Sequence, residues 1–294
     1  MPVFRVSLLL FSMILGSTFA VEALAGIKTN YWAIWDKSNE SNSRSIDHSQ
    51  FDRLLHSYVV VNHPSGINRF RYGDVSAGDS KTLDRYIAKM ARIDPRDYRR
   101  QEQKAYWINL YNGLVIQIVL RQYPDATLNT QINKRKKLVK VAGVKLSLKD
   151  IENRILRPIW QDRKVLFALS CGALGCPNIQ PQAYTSANSK QLLNRSVREF
   201  INHPRGLVVD RQSLQASKLF DWYAEDFGSQ KKMIKFLPIM RRTTRRCICS
   251  VLKAPLPMAM IPVSMHQRLS GRASDFNRIK LAGSLGQSWS VQLQ

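Results

Sequence analysis

From Ala105 to Ile116 the chain reads Ala-Tyr-Trp-Ile-Asn-Leu-Tyr-Asn-Gly-Leu-Val-Ile, apolar on nearly every side of a helical wheel. A helix without a polar face cannot lie on a surface, so this stretch predicts a central, buried helix with other elements wrapped around it. It extends from about Pro95 to Arg121 and stops at Tyr123-Pro124. Two amphipathic helices precede it. Phe51, Leu54, Leu55, Tyr58 and Val59 share one face, and so do Leu83, Tyr86, Ile87, Met90 and Ala91.

After the central helix, Leu138–Val141 and Val144–Ser147 alternate around Ala142-Gly143 and predict a hairpin, followed by a short helix to Leu156. Val165–Leu169 is a continuous apolar run, which predicts a buried strand leading into a cysteine-containing loop. Thr185–Asn202 predicts an amphipathic helix. Leu207–Val209 and Ser213–Gln215 predict a second hairpin around Asp210-Arg211, and Phe220–Tyr223 begins a last short helix. The expected class is α+β: one helix-rich domain with small antiparallel hairpins and no βαβ rhythm.

Met1–Ala25 opens with Arg5, continues through the apolar Val6–Leu15 and closes on small residues, the layout of a secretory signal peptide. The mature protein should then begin near Val21 or Gly26, have no membrane span and lie outside the cytoplasm, periplasmic or secreted. The formal charge is +24, and Lys134–Lys137 with Lys140 is the densest basic cluster of the body. Export argues against nucleic acid as the partner. The anions on offer there are lipid head groups and acidic polymers, so an anionic envelope component is the expected partner if the cluster is more than a solvated loop.

Cys171 and Cys176 are separated by Gly172-Ala173-Leu174-Gly175, a spacer whose glycines permit tight turns. Three readings of the pair stand side by side. In an oxidising compartment the two can form a disulfide. Cys171, held out on a turn, can instead be a nucleophile, for which His203 is the least awkward base among His48, His56, His63 and His203. A dithiol or metal pair is the third reading; two thiols without a matching His or Cys pair make a poor zinc site, so neither a metal nor a cofactor is expected. Asn109 and Asn112 stand three apart and share a face of the buried helix. They either clamp neighbouring backbone or line a polar cavity with Tyr106. Asp150 and Glu152 are expected as cap and surface residues.

Tyr106–Asn112, Leu146–Pro158, Phe167–Asn178 and Phe220–Tyr223 together resemble the family called domain of unknown function 547, over roughly Ser49 to Lys235. The resemblance implies an often exported bacterial protein and no assigned reaction. It also implies a histidine in many relatives where this chain has Leu166, which leaves any Cys–His pairing built on that position without its histidine. Two functions follow as expectations: a thiol-dependent hydrolase or transferase acting on an envelope or extracellular polymer, or a non-catalytic binding or assembly module stapled by a Cys171–Cys176 disulfide.

The domain is expected over residues 26–236, and the chain from about Leu237 breaks the pattern. It carries nine Lys or Arg against Asp275, with Cys247, Cys249 and scattered Met and Pro but neither helical nor alternating periodicity. Permitted codons for Pro238–Gln267, read two nucleotides later, give a foldable string that looks like the family's usual ending. The segment 237–294 is therefore expected to be a frame-shifted translation, in which Cys247 and Cys249 are accidental. The gene's nucleotides around the Leu237 codon decide this.

Overall fold

A computed structural model describes residues 26–124, 134–209, 214–229, 232–233, 236 and 259–261. The expected signal peptide, Met1–Ala25, lies outside the described residues, and so does the segment from Leu237 except Ala259–Ile261. Helices α1 (Ser49–Tyr58) and α2 (Ala77–Arg92) lead to α3 (Arg100–Leu120). Ser76 caps α2 by accepting from the Asp79 amide. The central helix is buried from Ala105 through Ile116 without a break, as its all-round apolar sequence demands. Its Trp107 ring meets Trp35 edge-on, with centroids 5.1 Å apart, which brings the N-terminal segment onto the core.

Strands β1 (Val59–Val60) and β2 (Arg69–Phe70) pair antiparallel, as do β3 (Lys137–Val141) and β4 (Val144–Ser147). The β3–β4 turn is Ala142-Gly143, both at positive φ (42° and 82°), the backbone twist that a two-residue hairpin requires. Helix α4 then runs through Leu148–Asp150, a π-helical stretch Ile151–Leu156, and Arg157–Trp160. A full capping box starts it: the Ser147 hydroxyl accepts from the Asp150 amide while the Asp150 carboxylate accepts from the Ser147 amide. Helix α5 (Ser189–Ile201), strands β5 (Leu207–Val209) and β6 (Leu214–Ser217), and short helices α6 (Lys218–Trp222) and α7 (Ala224–Phe227) follow. Strand β7 (Ala259–Ile261) lies parallel to β6. The architecture is helix-rich α+β with small antiparallel strand pairs, as expected.

The predicted strand over Val165–Leu169 is a correction: Arg163–Phe167 is a 3-10 helix capped by Asp162. A short apolar run reports burial on all sides, which strand and tight helix satisfy equally. Here Phe167 sits in a cluster of Phe200, Phe220, Phe227 and Phe236, its ring within 5.6–6.3 Å of each of theirs. Leu166, standing where the family pattern implies a histidine, is buried in that same cluster.

Candidate functional site

Helix α3 sets the position of the cysteine loop through its two asparagines. Asn112 donates from Nδ2 to the Ala168 carbonyl and accepts from the Ser170 amide, both at 2.9 Å. One turn earlier Asn109 treats Tyr184 the same way, donating to its carbonyl at 2.7 Å and accepting from its amide at 2.9 Å. Tyr106 donates to the Met90 carbonyl. Both amides are thus clamps on backbone, which is how buried amides normally satisfy themselves. None of Tyr106, Asn109 and Asn112 lines the cleft described below.

Between the two clamped points the chain turns through Cys171 and Cys176, which form a disulfide with Cα atoms 5.9 Å apart. Gly172 takes φ +72°, a conformation that a side chain would strain. The Cys176 amide closes the turn on the Ala173 carbonyl. Beyond the bridge, Asn178 and Gln180 donate to Glu199 of α5, and Asn68 is held at both ends by Asn178 and the Ile179 carbonyl.

The bridged loop, residues 67–70 with Tyr72, and Arg205 enclose a cavity of about 60 Å³. Cys176 lines it and Cys171 does not. Arg69 and Arg205 form part of its wall. Arg205 reaches the Leu174 carbonyl and the Asn178 side chain. Its pKa is pushed down to about 10, chiefly by burial, with the nearby Arg69 adding to the effect and Glu199 opposing it. Burial also lowers the pKa of Arg69. The Nε atoms of both arginines are buried without a hydrogen-bond partner.

His203 stands beside this wall as a turn pin. Its Nε2 meets the Ser65 carbonyl at 2.8 Å and its Nδ1 accepts from the Arg205 amide at 3.1 Å. That pattern fixes a neutral ring with the proton on Nε2, and burial lowers its pKa accordingly. His203 and Cys171 are therefore not arranged as base and nucleophile: one is committed to backbone and the other to Cys176.

A second polar cluster was not foreseen. Glu152, expected on the surface, is buried and accepts from Tyr111, Lys134 and Tyr223. Burial opposes its ionisation, but the Lys134 ammonium and the three hydrogen bonds outweigh burial and hold its pKa below the usual range. Burial first, and then the carboxylate, raise the pKa of both phenols. The group is thus a glutamate anion among protonated phenols, fixed in charge near neutral pH. The signal was present in sequence: Leu148, Ile151, Ile155 and Leu156 mark the core face of α4, and Glu152 stands inside that stripe. Lys137 likewise pairs with Asp150 at 2.6 Å. Two members of the basic run are thereby spent on α4.

The family comparison covers the centre of this arrangement. Residues 95–201 match the model of a family described as Protein of unknown function, DUF547; the match takes in α3, its two clamps and the bridged loop, and leaves Arg69 and Arg205 outside. No curated protein and no solved structure matches the chain. Over residues 95–201 the chain is thus similar to the family described as Protein of unknown function, DUF547.

Proposed function

We propose that this protein is an exported, non-catalytic binding or assembly module, stapled by the Cys171–Cys176 bridge, and that its partner is an anionic component of the cell envelope. The observation that carries this reading is the bridge itself, set in the wall of a cleft that also holds two guanidiniums. A thiol hydrolase needs a free thiolate with a base in reach. The bonded sulfur of Cys171 and the committed nitrogens of His203 supply neither. Export is supported by the signal-like layout of Met1–Ala25 and by the disulfide, a bond that persists in oxidising compartments. No helix among the described residues is long and apolar enough to cross a membrane.

Alkylation of the unreduced, exported protein tests the proposal. Near pH 6, about 2.5 units below an ordinary cysteine pKa of ~8.5, iodoacetamide should leave the peptide containing Cys171 unlabelled. Rapid labelling of Cys171 under those conditions would reveal a free, acidic thiol. That result would overturn the binding-module reading in favour of the thiol-dependent hydrolase or transferase.

A further inference from the structure

We propose that the cleft between β2 and the bridged loop is an oxyanion site, in which Arg69 and Arg205 hold a single carboxylate or phosphate head group. The proposal deepens the binding-module reading and rests on it for the rigid loop wall.

Several arginines among the described residues find carboxylates: Arg71 with Asp74, Arg96 with Asp94, Arg100 with Asp36, Arg157 with Asp226 and Arg195 with Glu199. Arg69 has no ion pair and no side-chain hydrogen bond among the described residues, and its Nε is buried. A partly buried guanidinium without a counter-ion is disfavoured, and the nearby Arg205 makes the site more positive still. The one carboxylate that bears on Arg205, Glu199, is already held by Arg195, Asn178 and Gln180. The wall therefore carries positive charge that the chain does not neutralise, in a concave space.

Size and shape define the ligand. A partly open cleft of about 60 Å³ has room for an oxyanion head group, while whatever carries that group can extend out of it. Guanidinium forks suit planar carboxylates and tetrahedral phosphates alike. Phe70, Tyr72 and Ile179 give the cleft an apolar side for whatever the head group is attached to.

The test is a thermal-melting titration of the exported protein with inorganic phosphate and, separately, with acetate, each at ionic strength held constant with chloride. At least one of the two should raise the melting temperature saturably, and which one does so identifies the head group. Arg69→Gln removes no hydrogen bond among the described residues, so without ligand it should melt no lower than the parent, and it should weaken the response at least about tenfold, the loss expected for a charge-assisted contact. Lys145→Gln, on an exposed part of β4, should leave the response unchanged. No saturable shift with either anion, or an equal shift in Arg69→Gln, would overturn the proposal. If the bridge is intact in the sample, such a failure removes only the oxyanion site; a free Cys171 in the alkylation experiment removes the binding-module reading instead.

Discussion

Arg157→Leu should destabilise the protein by about 3–5 kcal/mol, the range found when one partner of a buried ion pair is removed. The Arg157 side chain is 1% exposed and that of its partner Asp226 is 11% exposed. Its Nε donates to Asp226 at 2.9 Å, Nη1 to Asn153 at 2.7 Å and Nη2 to the Ile27 carbonyl at 2.7 Å, while the guanidinium lies over the Tyr223 ring. One side chain thus ties the N-terminal segment, α4 and α7 together. Leucine fills much of the volume but leaves the Asp226 carboxylate buried without a cation, and that uncompensated charge is the main cost. Lys134–Glu152 should be the weaker pair, because Lys134 remains 39% exposed and water screens it. Urea unfolding measures the loss. The double variant Arg157→Leu with Asp226→Leu should recover more than half of it, since an apolar replacement of both partners avoids the stranded charge. A double variant no more stable than the single one would show that the contacts to Asn153 and Ile27, rather than the charge pair, carry the effect.

The second large effect belongs to the asparagine clamps. Asn112→Ala strands the Ala168 carbonyl and the Ser170 amide, and Asn109→Ala strands the two backbone groups of Tyr184. An unsatisfied buried group costs about 1–3 kcal/mol and each variant strands two, so each should lose roughly 2–6 kcal/mol. Local readouts separate them. Hydrogen exchange at the Ser170 amide should accelerate in Asn112→Ala beyond its global loss of stability, with Tyr184 following only the global loss; in Asn109→Ala the two should trade places. Equal local exchange in both variants would mean that the clamps act through helix α3 as a whole and not on separate loop segments.

The parts of this fold that were legible in sequence are those written locally. The all-round apolar stretch placed α3 at the centre, and alternation around Ala142-Gly143 gave the β3–β4 hairpin. Glycines between the cysteines marked a turn that could be bridged, and the bridge is there. The two asparagines on one helical face could clamp or line a cavity, and they clamp. What escaped was non-local or ambiguous. Val165–Leu169 carried burial without a period, so its 3-10 form was not distinguishable from a strand. Arg157 and Asp226 are 69 residues apart, and nothing in their immediate sequence selects one for the other. Arg69 and Arg205 meet at one cleft only because β2 and the turn after α5 converge on the bridged loop. In the tail, which showed no periodicity, Ala259–Ile261 pairs with β6.

The central claim is that Cys171 and Cys176 are joined to each other, making the loop a rigid wall of a binding cleft and not the seat of a thiolate. Mass spectrometry of the purified protein, digested with trypsin without reductant, tests it most directly. No Lys or Arg lies between Lys164 and Lys190, so both cysteines fall in the single peptide Val165–Lys190. The account predicts that this peptide is lighter by two hydrogens than after reduction. A peptide already at the reduced mass before any reductant is added, or one joined instead to Cys247 or Cys249, would contradict it.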